Sequence, residues 1–245
     1  MTDRATPDRR AELAAGLARV RARIADACAA AGRDDADVTM VAVTKTYPAG
    51  DVLALADLGV VDMGENRDQE AAPKAAEVAA AGSTPRWHFV GQLQRNKCRS
   101  VARYADVVQS VDSVRLAEAL DGAAGQLRDR PLEVLVQVSI DGDPARGGAL
   151  PGSTDPDRGL LRVAEKVAAA GALRLAGLMA VAPLGGDPER AFARLAEVAR
   201  GFRAAHPTAV ALSAGMSGDL EVAIRYGATH VRVGSALLGM RSTLR

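Results

Sequence analysis

The sequence is poor in aromatic residues and in cysteine. Only 3% of its 245 residues are Phe, Trp or Tyr, which argues against a surface that stacks nucleic-acid bases. Its two cysteines, Cys28 and Cys98, are far apart and predict neither a disulfide framework nor a metal cluster. The net charge is +1, with both signs interspersed. We therefore expect neither nucleic acid nor metal as a partner.

Long hydrophobic runs are also missing. No stretch reaches the roughly 18 consecutive apolar residues that a membrane span needs. The first residues, MTDRATPDRRAELAAGLARV, are charged and amphipathic, unlike a signal peptide. These features predict a cytoplasmic protein without membrane contact. The hydrophobic content of 48% is enough for one sizeable core, and we expect a single domain over residues 1–245.

Apolar residues recur with helical spacing and with strand spacing in alternation. Residues 6–32 carry apolar side chains at helical spacing up to Gly32 and predict a leading helix. Eight short apolar segments follow, separated by helical patterns long enough for parallel crossovers. The predicted strands cover residues 38–45, 60–66, 86–91, 106–112, 132–140, 173–181, 208–216 and 228–239.

Eight strand-helix units in a chain of this length favour an α/β fold, a single (β/α)8 TIM barrel with an extra N-terminal helix. A doubly wound open sheet is the alternative. The first strand is not followed by a Gly-x-Gly-x-x-Gly motif, which disfavours a dinucleotide-binding version of that sheet.

The last two strands end in small residues that suit an anion. SAGMS follows strand seven and VGSA follows strand eight, and both predict turns whose backbone N–H groups can approach a phosphate monoester. We expect Ser217 to cap the next helix. Ordinary tight turns are the alternative for each motif taken singly. Their joint position after strands seven and eight favours phosphate.

The first strand ends in Lys45, one of only four lysines among 31 basic residues. In a barrel mouth among apolar strands we expect this amine to lose hydration, which favours its neutral form. A neutral amine beside a phosphate site suits a Schiff base with pyridoxal 5'-phosphate (PLP). A lysine that merely extends into solvent from the strand end is the alternative.

Several motifs together resemble the pyridoxal phosphate homeostasis protein family, the single-domain relatives of the alanine racemase N-terminal barrel. The motifs occur in the order of the family and extend from residue 41 to residue 241. They are VAVTKTYPAGDV, GENRDQE, RWHFVGQLQRNK, VQSVDS, GLMAV, LSAGMSGDLEVAI and THVRVGSALLGMR.

The resemblance implies a TIM barrel that binds PLP covalently through Lys45, with no catalytic residues and no metal. It implies that the cofactor is surrounded by Asn66, His88, Met179, Ser213, Gly215, Ser217, Arg232, Gly234 and Ser235. Asn66, His88 and Met179 would lie near the ring or the barrel mouth. Arg232 could meet either the phosphate or the ring nitrogen. Ser235 replaces the threonine and Arg146 the lysine of the family pattern.

The resemblance further implies a role in PLP homeostasis, with PLP-dependent apo-enzymes as recipients and a monomer or a weak dimer as the assembly. Racemisation needs two bases, and in the racemase relatives the second is a tyrosine of the C-terminal domain. Since the sequence ends at Arg245, near the closure of the barrel, we expect that base to be missing. The alternatives are a PLP-dependent amino-acid racemase or lyase that uses Lys45, and a phosphosugar-binding barrel enzyme.

Overall fold

The structure, a computed structural model, describes residues 4–141, 147–183 and 185–239; Arg146 lies outside the described residues. The strands are β1 (Thr39–Val43), β2 (Asp62–Glu65), β3 (Arg86–Phe89), β4 (Val107–Val111), β5 (Leu132–Gln137), β6 (Leu173–Met179), β7 (Ala211–Ser213) and β8 (His230–Val233). The helices are α1 (Pro7–Ala30), α2 (Ala49–Asp57), α3 (Asp68–Ala80), α4 (Cys98–Tyr104), α5 (Val114–Leu127), α6 (Leu160–Ala168), α7 (Pro188–Ala205), α8 (Leu220–Arg225) and α9 (Ser235–Leu238). Short 3-10 helices cover Asp35–Asp37 and Arg95–Lys97.

The eight strands form one closed parallel barrel. They are hydrogen-bonded in sequence order, and β8 pairs with β1 to complete the ring. Each strand is followed by a helix, and α1 precedes the first strand. The predicted (β/α)8 barrel with an extra N-terminal helix is confirmed. Two segments differ clearly from the prediction. Residues 208–216 form a strand only at Ala211–Ser213, and residues 228–239 form a strand only at His230–Val233 and then turn into α9.

Apolar side chains fill the layer between the strands and the surrounding helices. Val108 and Val111 of β4 share a buried cluster with Leu116 and Leu120 of α5. The pairing of β4 with β5 shifts register between Val108 and Val111. Gln109, which lies in this stretch, points into the barrel, where its side chain bonds Ser213 and His88. No helix of the described segments is long and apolar enough to cross a membrane.

The extra helix α1 packs on the end of the chain that closes the barrel. The predicted apolar residues of α1 are buried, and Thr6 Oγ1 caps its first turn by accepting from Arg9 N at 3.2 Å. Arg9 Nη2 also donates to Leu238 O of α9 at 3.0 Å. Gly16 lies directly against the backbone of α9, since a Cβ at this position would be 2.3 Å from Leu237 O. Helix α1 therefore fixes the position of α9.

Gly16→Ala should destabilise the protein, by about 1–3 kcal/mol, because the added methyl overpacks a backbone contact. Gly122→Ala is the matched control: Gly122 also lies within a helix, and a Cβ there meets nothing within 4 Å. It should stabilise the protein by about 0.5–1 kcal/mol through helix propensity. Urea unfolding of the two variants measures the difference, and equal effects would contradict the close approach of α1 and α9.

His230, the first residue of β8, is half-buried. Its Nδ1 is 2.8 Å from Thr229 Oγ1, and its ring centroid is 6.3 Å from that of His88. Burial lowers the pKa of His230 to about 4, and repulsion from His88 contributes to the same shift. The folded protein therefore favours the neutral imidazole.

In the unfolded chain His230 takes up a proton below about pH 6.5, whereas in the folded protein it does so only near pH 4. Its contribution to stability is therefore complete above about pH 6.5 and is lost as the pH falls towards 4. His230→Gln should reduce the loss of unfolding free energy between about pH 7 and about pH 5 by roughly 2 kcal/mol. Urea titrations at both pH values measure this loss, and an unchanged loss in the variant would refute the assignment.

Candidate functional site

Lys45 lies in a tight turn at the mouth of the barrel. It stands two residues beyond β1, and the Tyr47 N–H closes the turn by donating to Thr44 O at 3.1 Å. Lys45 is exposed, so the expectation that it is desolvated among apolar strands is wrong. Among the residues that the structure describes, its amine has no hydrogen-bond or ion-pair partner. The amine is therefore free to react with a ligand at the mouth.

The next residue, Thr46, has the left-handed backbone conformation, with a φ of 67°. This conformation is unfavourable for a β-branched residue and persists only where surrounding contacts impose it. One such contact is the hydrogen bond from Thr46 N to Glu70 Oε2 of α3, at 3.2 Å. Helix α3 thus restrains the turn on the C-terminal side of Lys45.

A buried ion pair restrains the same turn on the N-terminal side of Lys45. Glu65, at the end of β2, is fully buried, and its Oε1 accepts from Lys74 Nζ of α3 at 2.5 Å. Lys74 Nζ also donates to Thr44 O at 2.8 Å, and Thr44 Oγ1 donates to Glu65 Oε1 at 2.8 Å. Sequence reasoning missed Glu65 and Lys74 as parts of the site. The signal that could have identified Lys74 is a lysine inside a predicted helix, in a chain whose basic residues are mostly arginine.

The turns after β7 and β8 are in direct contact. Ala236 N donates to Ser217 Oγ at 3.3 Å and so joins one turn to the other. Gly215 has a φ of 88°, and a Cβ there would be 2.6 Å from Ala223 Cβ, so only glycine allows α8 to approach this closely. The predicted capping role of Ser217 is wrong: Asp219 is the N-cap of α8. Asp219 Oδ1 accepts from Met216 N at 2.6 Å, which shapes the turn and leaves the Ser217 hydroxyl on the side of α9.

Several backbone N–H groups of these turns are available to a ligand. Within the described part of the chain, no acceptor binds the N–H groups of Ser217, Gly218, Gly234 and Ser235. Gly234 also lies beside β1, since a Cβ there would be 3.4 Å from Val43 O, two residues before Lys45. These backbone N–H donors thus lie beside the end of β1, the strand that leads to Lys45.

Arg232 of β8 points into the barrel and is buried, with 5% of its surface exposed. Its Nη1 donates to Ser213 Oγ and its Nη2 to Ala180 O, each at 2.7 Å. No carboxylate of the described segments forms an ion pair with it. Burial lowers the pKa of Arg232 to about 10, opposed only by the attraction of Asp219. A buried guanidinium without a carboxylate partner favours an anionic or electron-rich ligand nearby.

The remaining predicted residues lie at two levels of the barrel. Asn66 follows β2 and is half-buried, and its backbone is so close to Gly91 that a Cβ there would be 2.0 Å from Asn66 O. His88 and Met179 are each 1% exposed and lie deeper. Met179 packs with Val107 in a small cluster of inward-facing residues. The structure therefore brings Asn66 to the mouth and His88 and Met179 into the interior.

The three tyrosines lie in different surroundings. Tyr47 OH donates to Gly239 O at 2.6 Å, and the Tyr47 ring lies under Arg9 of α1. Tyr104 lies at the end of α4, where burial raises the pKa of its hydroxyl far above the usual range. Tyr226 follows α8 in the outer layer.

Lys74→Met should destabilise the protein by about 3–5 kcal/mol, because it leaves the buried Glu65 carboxylate without its counter-ion. Lys166→Met is the matched control, since the Lys166–Glu118 pair, at 2.8 Å, has 40% and 52% of its side chains exposed. That variant should lose less than about 1 kcal/mol. Urea denaturation compares the two, and similar losses would show that the buried pair has no special importance.

The sequence and the fold match proteins of one family. The family model described as alanine racemase, N-terminal domain, matches residues 16–242. The pyridoxal phosphate homeostasis protein of Mycobacterium leprae is 45% identical over 247 residues, which cover 95% of this chain and 94% of that protein.

Solved structures give the same result. An unknown protein from Bifidobacterium adolescentis superimposes with a TM-score of 0.87 and 32% identity, covering 96% of this chain and 98% of that one. PipY of Synechococcus elongatus PCC7942, solved with PLP bound, has a TM-score of 0.75 and 32% identity, covering 93% of this chain and 100% of its own. With the barrel, the free lysine and the paired turns already in place, these matches show that the chain belongs to the pyridoxal phosphate homeostasis protein family.

Proposed function

We propose that this chain binds PLP as a Schiff base on Lys45 and serves as a cytoplasmic PLP homeostasis protein without appreciable racemase activity. The observation that carries the proposal is the junction of the turns after β7 and β8, made by Ala236 N and Ser217 Oγ at 3.3 Å. This junction places a group of free N–H donors beside the strand that leads to Lys45.

The phosphate group of PLP suits this junction. Ser217, Gly218, Gly234 and Ser235 offer backbone N–H donors, and the Ser235 side chain adds a hydroxyl that serves in place of threonine. Gly215 contributes by allowing the turn to pack closely on α8. Several N–H groups that converge on one point are a common way to hold a phosphate dianion.

We further propose that Lys45 bonds the other end of the cofactor. Bound PLP supplies an aldehyde that condenses with an amine, with loss of water, and a ring that withdraws electrons. The Lys45 amine is exposed and without a protein partner in the described segments, so it can form this bond from the mouth. Asn66, on the neighbouring strand end, would border the ring.

We assign Arg232 to the ring side of the site rather than to the phosphate. Its guanidinium reaches Ser213 and the carbonyl of Ala180, at the ends of β7 and β6, and so lies inward of the turns. A guanidinium only donates hydrogen bonds and would keep the ring nitrogen unprotonated. An unprotonated ring withdraws electrons poorly, which weakens the carbanion chemistry of a racemase.

The arrangement of the tyrosines also supports a non-catalytic role. A racemase needs an acid or base on each face of the substrate carbon, and Lys45 can serve only one face. Tyr47, the tyrosine nearest to Lys45 in sequence, donates its hydroxyl to Gly239 O at 2.6 Å. The chain would thus hold the reactive aldehyde reversibly and release it to PLP-dependent apo-enzymes.

Lys45→Ala should abolish the visible absorption band of the protein-bound Schiff base, because it removes the only proposed covalent attachment. Borohydride reduction followed by peptide mass analysis should place the cofactor on Lys45 in the wild type. Lys166→Ala, which changes an exposed lysine of α6, should keep the band. A colourless wild-type protein after incubation with PLP would contradict the proposal and favour a phosphosugar-binding barrel.

The racemase alternative is tested on the same preparation. Incubation of the PLP-loaded protein with single L-amino acids should yield no appreciable D-enantiomer by chiral chromatography. Transfer should be seen as activation of a PLP-dependent apo-enzyme by the loaded protein and not by Lys45→Ala. Racemisation at the rate of an ordinary cofactor-dependent enzyme would overturn the homeostasis assignment.

A further inference from the structure

The barrel interior contains a row of polar side chains that begins at Arg232. Arg232 Nη1 is 2.7 Å from Ser213 Oγ, and Ser213 Oγ is 2.7 Å from Gln109 Oε1. Both Ser213 and Gln109 are completely buried. Gln109, in the middle of β4, therefore has a hydrogen-bond partner on β7, across the barrel.

The row continues to the start of β2. Gln109 Nε2 is 2.9 Å from His88 Nδ1, and His88 Nε2 is 2.8 Å from Asp62 Oδ1. His88 is 1% exposed. Four consecutive hydrogen bonds thus connect five strands, from β8 near the mouth to β2 near the opposite end.

Only one direction of donation satisfies every member of the row. The guanidinium of Arg232 can only donate, so the Ser213 hydroxyl accepts from it and donates its own hydrogen bond to the Gln109 carbonyl. The Gln109 amide then donates to His88 Nδ1, which must carry no proton. His88 Nε2–H donates to the Asp62 carboxylate. The row therefore begins at a cation and ends at an anion, an arrangement in which each bond polarises the next.

We propose that Gln109 and His88 are positioning residues for Arg232, and that through the Ser213 hydroxyl they fix the guanidinium against the bound PLP ring. The inference rests on the function proposed above. By accepting the hydrogen bond of the Ser213 hydroxyl, Gln109 turns the lone pairs of Ser213 towards Arg232. His88 in turn orients the Gln109 amide, because only an unprotonated Nδ1 accepts from it.

This arrangement matters because Arg232 has few other restraints. Its contacts in the described segments are Ser213 Oγ and Ala180 O, which engage two of its nitrogens. The remaining N–H groups stay available to a ligand at the mouth. If Ser213 were free to rotate, its hydroxyl proton could face the guanidinium and displace it. The row thus fixes the orientation of the group that would meet the ring.

Gln109→Leu interrupts the row at its centre with a side chain of similar size. PLP affinity should fall about tenfold or more, which corresponds to the loss of one hydrogen bond to a charged group. The absorption maximum of the Schiff base should move, because the guanidinium shifts relative to the ring. Ser110→Ala is the matched control: Ser110 is the next residue of β4, is buried, and its hydroxyl has no hydrogen-bond partner among the residues that the structure describes. That variant should keep both the affinity and the absorption maximum of the wild type.

A second measurement needs neither a variant nor PLP. The ¹⁵N chemical shifts of His88 in the wild-type protein should report a proton on Nε2 and none on Nδ1. A proton on Nδ1 would overturn the inference, as would a Gln109→Leu protein that binds PLP with wild-type affinity and absorption maximum. A wild-type protein that binds no PLP would instead overturn the proposed function, and this inference with it. The two failures are therefore distinguishable.

Discussion

The ion pair between Glu65 and Lys74 is the constraint on which the mouth of the barrel depends. Burying two charges is costly, and the cost is recovered only when the geometry is good and the other polar atoms are satisfied. Lys74 meets part of this condition by also donating to Thr44 O, in the turn that leads to Lys45, whereas the buried Glu65 Oε2 has no hydrogen-bond partner in the described segments. The lysine that compensates a buried carboxylate thus also fixes the backbone beside the exposed Lys45. Together with the hydrogen bond from Thr46 N to Glu70, it makes one conformation of the turn strongly preferred.

The two faces of the strands have different tasks. The outward face is apolar and packs on the helices, as the cluster around Val108 and Leu120 shows. The inward face carries the polar residues that converge on Arg232. Such a division allows changes in the outer layer without disturbing the hydrogen bonds inside. It also explains how a buried guanidinium is tolerated, because hydroxyl and carbonyl acceptors from neighbouring strands replace the missing carboxylate.

Periodicity was sufficient to predict the strand order and the helix layer. Parallel strands with helical crossovers leave few topologies open, and eight such units nearly specify a barrel. The pairing of the last two turns could be anticipated for the same reason. Contacts between side chains distant in sequence could not: nothing in the sequence links Glu65 to Thr44, or Gln109 to Ser213. The exposure of Lys45 was also missed, because the pattern shows where a strand ends but not how far the following turn projects.

The close approach of Gly16 to Leu237 has a consequence for the opposite end of α9. That helix is only four residues long, and it begins at Ser235, next to the junction with Ser217. A helix this short moves nearly as a rigid unit, so a shift of its last residues displaces its first. Substitutions on the side of the N-terminal helix that faces α9 are therefore expected to alter the proposed phosphate site at this junction.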